Sequence, residues 1–210
     1  MKRAMKKLRS QWLVAVIAFV LVSPLAAQDM KLNSGSLDFL KGQTMLNVEY
    51  VYDGLTVGKG TEQAYIEKKV AEFNSKEPGK GEKWLENWKA DRTKRYQPKF
   101  EELLNKQFTE RKVNFKAGQY PDAKYTLVLK TLNLEPGYNA FVSRAPAQIS
   151  TEAKFVDTKD RSKELAVISI LKAPGRDAMG YDFDPGYRLQ EGYAKTGKEL
   201  GVFLYKKALK

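Results

Sequence analysis

The chain has 210 residues, with 37 Lys and Arg against 25 Asp and Glu, 42% hydrophobic and 11% aromatic residues, and neither Cys nor His. That composition belongs to globular proteins rather than to disordered or fibrous ones. Without Cys or His there is no thiol nucleophile, no histidine base, no disulfide and none of the Cys/His sites that zinc prefers, so any chemistry falls to carboxylates, Lys, Tyr, Ser or a bound group.

Lys2, Arg3, Lys6, Lys7 and Arg9 open the chain with no acid among them, and an apolar run from Trp12 to Val22 follows. This is the pattern of an export signal. As a helix the run rises about 16 Å against about 30 Å of hydrocarbon core, which is too short for a retained membrane span. Ser23-Pro24 ends it, and Leu25-Ala26-Ala27 places cleavage after Ala27, giving a signal peptide over 1–27. No Cys follows to carry a lipid. The expected product starts at Gln28, has no transmembrane span, and resides in the periplasm or is secreted.

Losing the five signal cations takes the formal charge from +12 to +7. Two segments, Lys89 to Lys99 and Lys195 to Lys210, each hold +4 and account for the whole excess.

Residues 28–43 show little periodicity around Asn33-Ser34-Gly35-Ser36 and read as a flexible leader; 44–210 read as a single domain. Leu46, Val48, Tyr50 and Tyr52 alternate with Asn47, Glu49 and Val51, the period of a half-buried strand, and Asp53-Gly54 marks a turn. Thr61-Glu62 opens a helix with Ile66, Val70 and Phe73 on one stripe, interrupted at Pro78-Gly79. From Glu82 to Arg111 the period is helical again, with Pro98 expected to end one helix and begin the next.

Val113-Asn114-Phe115 reads as a short strand. Tyr125 to Leu134 starts apolar on both faces, as in a central strand covered on two sides. Ala147 to Phe155 alternates cleanly, Leu165 to Leu171 is continuously apolar, and the short polar link between them predicts an antiparallel pair. Asp184-Pro185 is a cap followed by Pro at the first helical position. The closing helix carries Tyr193, Gly197, Leu200, Gly201 and Leu204 on one stripe, and the two glycines are expected to bring it close to a sheet. The class is α/β (α+β): a single mixed sheet of about four to five strands, helices packed on it, and a carboxyl-terminal closing helix.

This order of elements, with the phrases Leu46-Asn47-Val48-Glu49-Tyr50, Asp122-Ala123-Lys124-Tyr125-Thr126-Leu127-Val128-Leu129 and Ala153-Lys154-Phe155-Val156-Asp157-Thr158, resembles the small α/β domain of TolB amino-terminal-like and curli-secretion-lipoprotein-like envelope proteins. The resemblance implies a non-enzymatic binding or assembly role in the bacterial envelope. The chain departs from the lipoprotein members in lacking a lipidated Cys, and from TolB in lacking a propeller.

Two candidate regions stand out, with a third between two strands. Trp84, Trp88 and Tyr96 interleave with Arg92, Lys94 and Arg95, a combination that suits an anionic polymer, set against an amphipathic helix with a wet basic face. Nucleic acid is not expected for an exported protein. Asp177, Asp182 and Asp184 offer oxygens for a hard cation, but their spacing fits no EF-hand, and capping of the closing helix by Asp184 accounts for the pattern better, so no metal and no cofactor are expected. Tyr138 and Phe141 sit on a loop as possible contact aromatics.

No catalytic motif is visible. The expected function is therefore an exported, non-enzymatic envelope module that binds an envelope protein or anionic envelope polymer. The alternative is a carboxylate-dependent hydrolase of an envelope glycan drawing on Glu152, Glu164, Asp177, Asp182 and Asp184, which needs two carboxyls about 5 to 9 Å apart.

Overall fold

The computed structural model describes residues 29–140, 143–175 and 184–210. The expected signal peptide over 1–27, Phe141, Asp177 and Asp182 lie outside these residues. In chain order the strands are β1 (Asp29–Gly35), β2 (Met45–Val51), β3 (Thr56–Val57), β4 (Gly60–Thr61), β5 (Lys116–Gly118), β6 (Tyr125–Glu135), β7 (Tyr138–Ala140), β8 (Ser143–Ala145), β9 (Ala147–Asp157) and β10 (Glu164–Gly175). The helices are α1 (Glu62–Asn74), α2 (Lys80–Asp91), α3 (Gln97–Glu110) and α4 (Pro185–Leu204).

A mixed sheet forms the spine in the order β1-β10-β9-β6-β2-β5, with β3 beside β6 and β4 beside β3. β2 runs parallel to both β5 and β6, whereas β6, β9, β10 and β1 are successively antiparallel. The sheet has eight strands, not four to five. The additional ones are short or lie at an edge, where few residues repeat the alternation that makes a strand visible.

β1 is the main correction, because the segment expected to be a leader pairs with β10 from Asp29↔Leu171 to Gly35↔Ala166. Behind it Leu37 and Leu40 are buried, and Phe39 packs edge-on against Tyr125 at 4.8 Å. The strand expected at Val113 to Phe115 forms three residues later, at Lys116–Gly118. Phe115 precedes it as a core side chain against Phe108.

β9 shows the sheet's asymmetry, since its residues alternate between buried and half-buried from Ala147 to Phe155. Leu127, Leu129, Ile149, Ala153, Phe155, Ile168 and Ile170 make the buried face. Val128 and Lys130 stay half-buried on the other, so β6 is packed on one side rather than two. On the buried face lie α3, with Phe100, Leu104 and Phe108, and α4, with Leu189, Tyr193, Leu200 and Leu204. Truncating such a side chain to Ala costs about 2–5 kcal/mol.

Thr61 caps α1 by accepting from the Ala64 N–H at 3.2 Å, and Asp184 caps α4 by accepting from the Gly186 N–H at 2.7 Å. Pro98 acts as expected but within one long helical run. It stands at the start of α3, and because it has no N–H to give, the ladder slips into a π-turn over Arg92–Tyr96 in which the Gln97 N–H reaches the Arg92 carbonyl.

The close approach offered by Gly197 and Gly201 is made to α3 rather than to the sheet. A Cβ at Gly197 would stand 2.2 Å from the Phe100 carbonyl oxygen, and one at Gly201 would stand 2.8 Å from the Gln107 Cβ. Successive positions of α4 thus meet successive positions of α3, and the two helices run parallel. Among the described residues no helix is long and apolar enough to cross a membrane.

Candidate functional site

A groove of about 660 Å³ opens at the amino-terminal end of α4, between the α1–α2 hairpin and the turn from β6 to β7. Its aromatic wall comes from helical spacing. Tyr65 and Phe73 project from α1 and Trp84 and Trp88 from α2, so that Phe73, Trp84 and Trp88 stack in series with centroids 5.9 and 5.6 Å apart while Tyr65 meets Trp88 at 5.2 Å. α1 buries no residue fully, and its packing is chiefly this aromatic seam against α2. Glu62 ties the hairpin at its base: its Oε1 accepts from the Trp88 Nε1–H at 2.7 Å and from Arg92 at 2.5 Å.

The opposite wall is polar. The Arg95 guanidinium lies 3.2 Å from the Asp91 carboxylate and donates to Asp184 Oδ2 at 3.1 Å, and it stacks over the Tyr187 ring at 4.1 Å. Asp184 therefore serves twice, as helix cap and as partner of Arg95. A Cβ at Gly186 would stand 2.2 Å from Asp91 Oδ2 and 2.6 Å from Arg95 Nη1, so a larger residue would displace this ion pair. Arg188, 6% exposed, donates through Nε and Nη2 to the Pro136 carbonyl at 3.1 and 3.0 Å and so fixes the turn that carries Tyr138.

Burial raises the Asp91 carboxyl above its ordinary range despite the neighbouring Arg95, and Asp184 adds to the rise. Burial works against the charge of Arg95, but the two carboxylates outweigh it and hold the guanidinium more firmly charged than usual. Burial also lifts the Tyr65 hydroxyl to about 12, so it is a neutral donor near pH 7. Lys69, Arg95 and Arg188 face Asp91, Glu135 and Asp184 around the rim, so the groove's formal charges balance.

The structure divides the residues expected to act together. Trp84, Trp88, Arg95, Asp184 and the half-exposed Tyr138 all line the groove. Arg92 instead turns to Glu62 and covers the Tyr52 ring at 4.3 Å, and Lys94 points to solvent. Tyr96, 1% exposed, is sealed beneath Tyr193 and reaches no ligand, which corrects its place among the binding aromatics. The π-turn causes the split, since the extra residue rotates the side chains following Asp91.

Of the other carboxylates, Glu164 pairs with Lys154 at 3.1 Å and lies on the sheet, not at the groove, and Glu152 occupies the half-buried side of β9. Both oxygens of Asp184 are engaged, and among the described residues no cluster of three acidic side chains is placed to hold a metal. Tyr65, Phe73 and Asp91 complete the groove. Phe73 was visible as part of a helical stripe, whereas nothing local marks Tyr65 or Asp91.

No protein-family model and no curated protein matches the sequence. Among solved structures the chain is similar to the PelC dodecamer from Paraburkholderia phytofirmans, at 10% identity and a TM-score of 0.40 over 88% of this chain and 100% of that one. A single-substitution variant of the same dodecamer in a second crystal form aligns at 11% identity and a TM-score of 0.34, over 80% of this chain and 99% of that one. At these values neither likeness assigns a fold family or an activity to this chain.

Proposed function

We propose that this protein is a non-enzymatic binding module of the bacterial envelope, exported by its amino-terminal signal, and that the aromatic groove is its ligand site. The ligand class is an uncharged saccharide. The observation that carries this reading is the row Phe73, Trp84, Trp88 and Tyr65 opposite a rim of balanced charge. Phe73, Trp84 and Trp88 are stacked on one another and Trp88 is buried, so a pyranose ring meets the surface that the half-buried Tyr65, Phe73 and Trp84 leave to the groove. Its hydroxyls find donors and acceptors in Asn87, Asp91 and Arg95, the apolar-wall and polar-anchor arrangement of small-molecule sites. A charge-balanced rim gives an anionic polymer no advantage here.

A hydrolase of an envelope glycan is the second reading, favoured by the raised Asp91 carboxyl in the same groove as Asp184. Against it, both carboxylates are held by one guanidinium, which disfavours the protonated acid that glycoside cleavage requires.

Trp84 and Trp88 are the sole tryptophans of a chain starting at Gln28, so intrinsic fluorescence reports on the groove directly. Titration with neutral oligosaccharides should change that emission saturably, without release of reducing ends. Trp84→Ala should abolish binding measured by calorimetry, while Lys94→Ala leaves it intact. No binding by any neutral oligosaccharide, or equal binding by the Trp84→Ala protein, refutes the assignment.

A further inference from the structure

The opposite end of α4 carries a different surface. Because α3 and α4 run parallel, both finish at the same end of the molecule, where the Arg111 guanidinium lies 5.2 Å from the Tyr205 ring. From Tyr205 a π-turn continues to Leu209 and packs near Leu40, while the chain leaving α3 passes Lys112 and enters β5 at Lys116, in register with the exposed Met45. Arg111, Lys112, Lys116, Lys206, Lys207 and Lys210 are thereby gathered at one end.

None of these six side chains is in an ion pair among the described residues, and the two nearby acids are already taken, Asp38 by Lys41 and Glu110 by Lys106. Cations at a helix carboxyl end offset the macrodipole, which accounts for one or two of them but not for six. Five of the six are exposed, and Arg111 is half-buried. They cap the tips of two helices rather than lining a track, and this end-on arrangement fits a planar anionic surface better than a linear polymer. Met45, 44% exposed, adds an apolar contact at the same end.

We infer that this end docks on a phosphate-bearing lipid surface, leaving the groove facing away. α4 spans about 30 Å, so the groove stands well clear of the headgroups, beyond the Debye length of about 8 Å at physiological salt. The inference is independent of what the groove binds.

The test uses the chain from Gln28, which contains every described element and omits the apolar signal. Sedimentation with vesicles of mixed phosphatidylglycerol and phosphatidylcholine should show binding that falls steeply with salt, and pure phosphatidylcholine should show none. Lys206→Glu, Lys207→Glu and Lys210→Glu combined should weaken it at least about a hundredfold, since each cation near an anionic leaflet contributes close to a factor of five.

A control triple, Lys68→Glu, Lys83→Glu and Lys89→Glu, makes the same change in net charge at exposed positions of the groove hairpin and should bind nearly as well as the parent. Both triples are compared only where circular dichroism and melting match the parent; otherwise neutral Gln replacements are used. Equal losses from the two triples, equal binding to phosphatidylcholine alone, or tighter binding to soluble polyphosphate than to vesicles would each overturn the proposal.

Discussion

Tyr96 and Tyr193 stack face to face in the core, with ring centroids 4.9 Å apart and planes 7° from parallel, yet their hydroxyls meet opposite circumstances. The Tyr193 oxygen is 2.7 Å from the Thr131 hydroxyl, while the Tyr96 hydroxyl, equally buried, has no partner among the described residues. Removing a satisfied buried hydroxyl strands its partner, and removing an unsatisfied one strands nothing. Tyr193→Phe should therefore cost about 1–2 kcal/mol in urea unfolding, whereas Tyr96→Phe should be neutral or slightly stabilising. Equal losses from both would mean that the Tyr96 hydroxyl has a partner of equal worth.

The α3–α4 contact should be intolerant of a single methyl group. Gly197→Ala places a Cβ against the backbone carbonyl of Phe100, so the helices must part. A loss of about 3 kcal/mol or more is expected, beyond the usual range for overpacking because no side chain is free to swing aside. Gly60→Ala, which meets nothing within 4 Å, serves as the control and should melt within a few degrees of the parent.

Asp91 predicts a pH dependence with a definite sign. Its carboxyl titrates higher in the folded protein than the ordinary 3.8, with burial as the largest cause. A raised acid means that the folded state takes up its proton more readily than the unfolded state, so this contribution to stability is complete below the unfolded value and is lost as pH rises through the folded one. Relative to Asp91→Asn, which does not titrate, the parent should lose stability from pH 3 upward through the carboxylate range. Urea midpoints of both proteins at each pH test this, and a parent that gains on the variant as pH rises contradicts it.

Glu62 should hold the groove hairpin together. Glu62→Ala leaves the buried Trp88 Nε1–H and the Arg92 guanidinium without their shared acceptor, at a cost of about 1–3 kcal/mol. Because α1 packs mainly through its seam with α2, the loss should appear as faster amide exchange confined to α1, with the β6 and β9 amides unchanged. Glu62→Gln keeps an acceptor for Trp88 and should recover most of the protection.

Much of the fold is legible wherever a pattern runs long enough to repeat. Leu46 to Tyr52, Ala147 to Phe155 and the Asp184-Pro185 cap each announce their element, because burial on one face and satisfaction of helix-end N–H groups are local demands. β1 escapes notice because Met30 and Leu32 alternate only briefly before Ser34-Gly35, and its status as a strand depends on β10, far along the chain. Asp157 and Thr158 stood out as a familial phrase, and their local roles are structural: Asp157 accepts from the Lys159 and Asp160 N–H groups, and the Thr158 hydroxyl lies 2.9 Å from that of Thr126.

The groove is half legible for the same reason. Trp84, Trp88 and Arg95 are conspicuous by type, but the pairing of Arg95 with Asp184 joins residues 89 positions apart, and no periodicity reports that distance. The Lys89 to Lys99 segment presents less free charge than its composition suggests, because Arg92 and Arg95 are both committed to carboxylates. In the second segment Lys195 is likewise held by Glu199, but Lys206, Lys207 and Lys210 are in no ion pair among the described residues.

β1 has a consequence for the order in which the molecule is completed. It is the earliest described strand, and its neighbour in the sheet is β10, among the last segments before the closing helix. A chain emerging amino end first, from a ribosome or through a pore, presents Met30 and Leu32 long before the strand that covers them exists. Until Leu165 to Leu171 arrives, the edge strand has nothing to pair with, and contacts of such long separation form slowly. Truncation between Asp157 and Glu164 should therefore yield not a smaller sheet but an unfinished one with an open β9 edge, the state in which an exposed strand recruits foreign partners.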